Sequence, residues 1–224
     1  MDTHTGPSTK RDEPIRIFKS SFLEFFSHIS PVAVLVVWVP IIGFFIWLSI
    51  RDALGGLLSV WLIPVEIVAG MLMWSLTEYV LHRFLFHYHP KSEWGKRINF
   101  MFHGVHHAQP MIKTRLVMPP IISLPIGVIM YSFYALIFQL VFNVGFVINA
   151  LFAGTAIGYL LYDMTHYATH HFQIKGGWFQ WIRSHHMKHH VQTPDERFGV
   201  TSPLWDYAFG TEPKDRPTAK KTKA

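Results

Sequence analysis

Uncharged apolar stretches long enough to cross a lipid bilayer constrain this chain more than any other feature. No Asp, Glu, Lys or Arg occurs between Glu24 and Arg51, and none occurs from Leu116 to Tyr162. A helix rises 1.5 Å per residue, so about 20 apolar residues cross roughly 30 Å of hydrocarbon. The first run predicts one span, from about Val32 to Ile50. The second is long enough for two, about Pro120 to Val141 and Phe146 to Tyr167, with the FNVG sequence at Phe142–Gly145 as the turn. A further span is expected from about Leu57 to Val80, interrupted only by Glu66 and Glu78. An all-α integral membrane protein with four transmembrane helices results. Composition agrees: with 50% hydrophobic and 15% charged residues, too few charges remain to cover a soluble surface. A long polar leader and the lack of a small-residue cleavage pattern set the first run apart from a signal peptide.

The basic residues orient the spans, because Lys and Arg collect on the cytoplasmic side of short loops. Four precede the first span (Lys10, Arg11, Arg16, Lys19), six lie between the second and third (Arg83, Lys91, Lys96, Arg97, Lys113, Arg115) and nine follow the fourth. Only Arg51 falls on the opposite side. Both termini are therefore expected in the cytoplasm. The chain reads as a polar cytoplasmic N-terminal segment, 1–28, a membrane domain, 29–211, and a basic disordered tail, 212–224. Charges this close to spans have anionic lipid as their nearest partner, so no nucleic-acid role is expected.

Cysteine is absent and histidine abundant, 15 in all, so any metal chemistry must run through imidazole. Thirteen histidines fall in four clusters: His82, His87 and His89; His103, His106 and His107; His166, His170 and His171; His185, His186, His189 and His190. On the expected topology all four clusters share one membrane face. Residues three and four apart lie on one side of a helix and can converge on one ion. His103 with His106 and His107, His166 with His170, and His186 with His189 and His190 satisfy that rule. His82 and His87 do not, since five steps of about 100° leave them roughly 140° apart. Either the helix ends or bulges between them, or the two serve different ions. Ten such ligands exceed the coordination of one ion, so two adjacent metals are implied.

Imidazole suits zinc, copper, iron and nickel. No HExxH motif supplies the carboxylate base of a hydrolytic zinc site. Two redox metals beside hydrocarbon suit oxygen activation and attack on an unactivated C–H bond, which calls for iron, zinc having no accessible redox change. Zinc can occupy the same ligands as a substitute. Glu78 precedes His82 by one helical turn, and Asp163 precedes His166 by about one. Each is placed to orient a ligand from behind, although Asp163 also suits a local helix-end hydrogen bond. Glu66 must be protonated, paired or turned to a cavity. Trp74, Phe84, Phe86, Tyr131, Phe133 and Trp178 are candidates for a substrate groove, in competition with helix packing. A histidine-rich metal transporter or sensor is the rival reading, and would favour ligands near the bilayer midplane.

Six stretches resemble the membrane fatty acid hydroxylases of the fatty acid hydroxylase and sterol desaturase superfamily, the fatty acid 2-hydroxylases in particular. They are TEYVLHRFLFH (Thr77–His87), MFHGVHH (Met101–His107), TRLVMPP (Thr114–Pro120), GYLLYDMTHYATHH (Gly158–His171), HHMKHH (His185–His190) and FGVTSPLWDYAFGT (Phe198–Thr211). The resemblance implies four membrane helices under a cytoplasmic helical cap. It also implies two iron ions held by His82, His87, His103, His106, His107, His166, His170, His186, His189 and His190, with His89, His171 and His185 outside the set. The implied reaction uses O2 as co-substrate and two external electrons to hydroxylate C2 of a fatty acyl chain, as free acid or ceramide. Oxidation of a carotenoid or sterol is the alternative within the superfamily. Fungal and animal members carry an N-terminal cytochrome b5 domain, for which the residues before the first span are too few. A separate electron donor such as cytochrome b5 or ferredoxin is therefore expected, with Lys91, Lys96 and Arg97 as a basic docking surface. Arg115 is a candidate for holding a polar lipid headgroup, or equally a snorkelling anchor.

Overall fold

A computed structural model describes residues 13–143 and 148–213. Among them the chain is helical throughout, without strands: α1 (Ser21–Phe26), α2 (Pro31–Leu54), α3 (Leu62–Val80), α4 (Glu93–Asn99), α5 (Val105–Ala108), α6 (Pro120–Phe142), α7 (Ile148–His171), α8 (Gly177–Val191) and α9 (Leu204–Phe209). Local chemistry sets the boundaries. Ser30 caps α2 by accepting from the Ala33 amide, and Pro31 takes the first turn, where no amide is needed. Asn143, at φ +53°, closes α6 in the left-handed conformation that asparagine tolerates. Val144 and Gly145, the rest of the expected FNVG turn, lie outside the described residues.

Among the described residues three helical segments are long and apolar enough to cross a membrane: Pro31–Leu54, Leu62–Phe86 and Lys113–Phe142. The protein is accordingly an integral membrane protein. These helices turn large apolar side chains outward, among them Val36, Trp47, Val65, Leu72, Ile129 and Leu140, a surface suited to lipid and not to water. α7 differs. It has 24 residues, but Asn149, Thr155, Asp163, His166, Thr169 and His170 are all buried along it. It packs against α2, α3 and α6 and is covered by them, so it needs no apolar exterior and does not stand among the three.

The tightest crossing is α3 on α7. A β-carbon on Gly154 would lie 2.1 Å from the Ile67 carbonyl oxygen, and one on Gly70 would lie 2.0 Å from that of Leu151. Only hydrogen fits at either place, and the approach lets Thr155 Oγ1 donate to the Gly70 carbonyl across the interface. Above it, Trp38, Trp74, Tyr159 and Tyr162 form a buried aromatic core with edge-on contacts.

The long helices alternate in direction. Ile29 before α2 donates to Thr114 before α6, and Met118 at the same place donates to Asp163 near the end of α7. At the other end, Asn149 on α7 reaches Asp52 on α2. The start of α2, the end of α3, the start of α6 and the end of α7 therefore lie together. α8 and α9 pack over that end, where Trp205 donates to Ser75 on α3. The N-terminal segment reaches it too, the Ile15 amide donating to the Gln109 side chain. At the other terminus Glu212 pairs with Arg197, while 214–224 lie outside the described residues.

Candidate metal centre

Two π-helical turns build the site. The first, Leu81–Phe86, continues α3, and the His87 amide donates to the His82 carbonyl, five residues back. In i→i+5 bonding, residues five apart occupy one face, as residues four apart do on an α-helix. His82 and His87, badly placed on a regular helix, thus bring their Nε2 atoms to 3.2 Å. The second turn, Phe100–Gly104, leads into α5 and carries His103. His103 and His107, four apart, face one way, and their neighbour His106 faces another. On α8 the same geometry separates His189 from His186 and His190.

All ten expected rings meet, in two groups of five. His82, His87, His103, His107 and His189 form one; His106, His166, His170, His186 and His190 form the other. Each cluster of neighbouring histidines on α5 and α8 is thus shared between the two groups. In the first group Nε2 atoms stand 3.1 Å apart for His82–His103, 3.2 Å for His87–His103 and 2.9 Å for His103–His107. In the second the distances are 2.9 Å for His106–His166, 3.1 Å for His106–His190 and 2.9 Å for His170–His186. An ion with M–N bonds of about 2.1 Å sets adjacent nitrogens about 3.0 Å apart at right angles, so the spacing fits a metal. His189 belongs to the first group, and its Nε2 is buried without a partner among the described residues. The groups adjoin, with the His107 and His190 rings stacked at 4.2 Å.

Outside the spans, burial favours the neutral, lone-pair-donating imidazole. Burial and the nearby His189 push His107 down to about 4, and burial brings His189 to about 4 as well. His82 Nδ1–H donates to the Phe198 carbonyl and His189 Nδ1–H to that of Glu196 at 2.7 Å, leaving Nε2 of each free to bind.

The outer residues divide. Glu78 does not touch His82. Its carboxylate accepts from the amides of Val200 and Thr201 and from the Thr201 hydroxyl, and so fixes the segment whose Phe198 carbonyl holds His82. Asp163 accepts from the Met118 amide and not from His166. Arg115 pairs through Nη2 with Glu24 and His28, while its Nε and Nη1 are buried without partners among the described residues. His89 is exposed, His171 rests against Tyr167, and His185 lies between Asp206 and Glu212. None of the three joins a group. Replacing His171 by Ala is expected to leave metal content and turnover within about twofold of wild type; metal loss comparable to that of a grouped histidine would place it in the site.

A cavity of about 370 Å³ opens onto both groups, with His103 from one and His106 and His166 from the other in its wall. Apart from Arg115, Asp163, Ser27 and Tyr162 its lining is almost wholly apolar. Of the aromatic groove candidates only Phe86 lines it. Trp74 and Tyr131 pack inside the bundle, and Phe84, Phe133 and Trp178 face outward. The sequence reading missed α1, which supplies Phe22, Leu23 and Phe26 to the cavity. The signal was the SFLEFF sequence, too short for periodicity to register.

Comparison with known proteins agrees with this geometry. A family model described as fatty acid hydroxylase matches residues 67–211. The chain belongs to the fatty acid hydroxylase family. A dihydroceramide fatty acyl 2-hydroxylase from Arabidopsis thaliana is 35% identical over 220 residues, covering 96% of this chain and 86% of that one. A fatty acid 2-hydroxylase from Homo sapiens is 36% identical over 225 residues, covering 92% of this chain and 59% of its longer partner. The solved structure of full-length Scs7p, in which only the hydroxylase domain is visible, superposes with a TM-score of 0.75 at 33% identity, over 85% of this chain and 69% of that one. Family membership extends over both π turns, all ten rings and the Phe198–Thr201 segment.

Proposed function

We propose that this chain is a membrane fatty acyl 2-hydroxylase acting on a lipid whose acyl chain enters the cavity beside the histidines. The observation that carries the reading is ten imidazoles in two adjoining groups at the wall of an apolar cavity in a membrane protein. Relatives named for fatty acyl and ceramide hydroxylation support the substrate class. Two iron ions in these cradles would supply activation of O2 with electrons from a separate donor. The chain's own part is to hold both ions in one rigid frame, to exclude water with α1 and the α6 entry, and to present the acyl carbon to them.

In this reading α7 is the fourth span. Its burial among α2, α3 and α6 accounts for its polar composition. The charge distribution favours the cytoplasm for both termini and for the histidine end, where α4, α5, α8 and α9 would form the cap. Lys91, Lys96 and Arg97 are exposed on and beside α4 and suit an acidic electron carrier. Arg115, with two nitrogens unpartnered among the described residues in the cavity wall, would hold a polar oxygen of the lipid, and Asp163 and Glu78 would act through the backbone segments they fix. Mass spectrometry of lipids from a host expressing the chain is expected to show acyl chains heavier by one oxygen, located at C2. Unchanged acyl chains alongside oxidised sterols or carotenoids would shift the assignment within the superfamily, and metal uptake without lipid oxidation would overturn it.

A further inference from the structure

The two histidine groups differ in what stands behind them. In the first, the Nδ1–H groups of His82 and His189 donate to the carbonyls of Phe198 and Glu196. In the second, the Nδ1 atoms of His106, His166, His170 and His186 are buried with no hydrogen-bond partner among the described residues. A carbonyl behind the ring fixes its tautomer and orientation and raises its basicity, and losing such a partner costs roughly 10–100-fold in metal affinity.

The loop bearing those two carbonyls is itself anchored. Asp206, wholly buried, accepts from the amides of Phe198 and Gly199 at 2.8 Å each and from the Thr211 hydroxyl at 2.7 Å. His185 reaches Asp206 at 3.2 Å with one ring nitrogen and Glu212 at 3.2 Å with the other. Glu212 also meets Arg197, which enters the loop at φ +60°. Glu78 on α3 holds the amides of Val200 and Thr201. The turn has no slack, since a β-carbon on Gly199 would lie 2.1 Å from the Ser202 carbonyl oxygen. Each backbone group from Phe198 to Thr201 named here is bound by a buried carboxylate or by a candidate ligand.

We infer that the two centres bind metal unequally, and that Asp206, supported by His185, is a positioning residue that sets the affinity of the centre containing His82 and His189. The inference rests on the dimetal reading. It gives His185, which stands outside both groups, a place in the site, acting through Asp206 and the loop.

The test is stepwise loading. Full-length protein in detergent, stripped of metal and titrated with Zn²⁺ against a competing chelator, is expected to take up two ions in steps separated by roughly 10–100-fold. His170→Ala should delete the weaker step and keep the tighter one. Asp206→Asn keeps the shape but turns an amide toward donors, and should weaken the tighter step by 10-fold or more while leaving the weaker step in place. Thr201→Val removes only the hydroxyl bond to Glu78 and should move the same step by a smaller factor, a variant that serves if Asp206→Asn does not fold. The persisting weaker step reports an intact bundle, which general destabilisation would not preserve. Two equal steps in the wild type, or a parallel loss of both in the variants, would overturn the inference. Uptake of a single ion, or none, by the wild type would instead overturn the dimetal reading.

Discussion

Replacing His107 or His170 by Ala is expected to abolish acyl hydroxylation and to leave membrane insertion and helix content unchanged. The two residues sample different groups: His107 stands with His82, His87, His103 and His189, and His170 with His106, His166, His186 and His190. Both residues lie outside the packing of the long helices on one another. His107 sits on the four-residue α5, and His170 lies in the last turn of α7, beyond the aromatic core of Trp38, Trp74 and Tyr159. Loss of one nitrogen donor from a five-ring cradle should lower turnover at least about 100-fold, since even an outer partner of a ligand is worth roughly 10–100-fold. Metal analysis and C2-hydroxylated lipid, measured on the same membranes, check it. If both variants keep near-normal turnover at normal metal content, the grouped rings do not hold the reactive ions.

Much of this site was legible because histidine is costly to bury, and four clusters of it at one end of apolar helices are hard to accommodate except around metal. The sorting of rings was less legible. Spacing rules treat a cluster such as His103, His106 and His107 as one unit aimed at one ion, whereas adjacent residues on a helix point about 100° apart and here serve different groups. The pairing of His82 with His87 depends on a π turn, and an i→i+5 bond leaves no mark in an apolar period of 3.6. For Glu78 the route was hidden for a related reason: one helical turn from His82 along the chain, it reaches that ring through the loop at Val200, 122 residues later, a contact set by tertiary packing. α7 shows the converse. The sequence reads as a span from about Phe146 to Tyr167, but the buried polar residues of α7 place it at the centre of the bundle and leave it less apolar than the helices that face lipid.

The crossing of α3 and α7 carries the second large effect. Gly154→Leu would drive a side chain into the backbone of Ile67, where a single β-carbon already falls 2.1 Å from the carbonyl oxygen. Backbone cannot rotate away as a flexible side chain can, so the helices must part. Overpacking of this kind costs about 3 kcal/mol in a core that can adjust, and more where it cannot. Separation would propagate to the site, because α3 leads into His82 and His87 and α7 carries His166 and His170. The variant is therefore expected to lose folded yield, thermal stability in detergent and metal together, although Gly154 touches neither group. Gly43→Ala provides the contrast. A β-carbon there meets nothing within 4 Å, and alanine favours a helix interior by roughly 0.5–1 kcal/mol, so stability should hold or rise slightly. If Gly154→Leu instead folds with its melting temperature unchanged, α3 and α7 do not cross at this distance, and the relative placement of the two histidine groups would have to be redrawn.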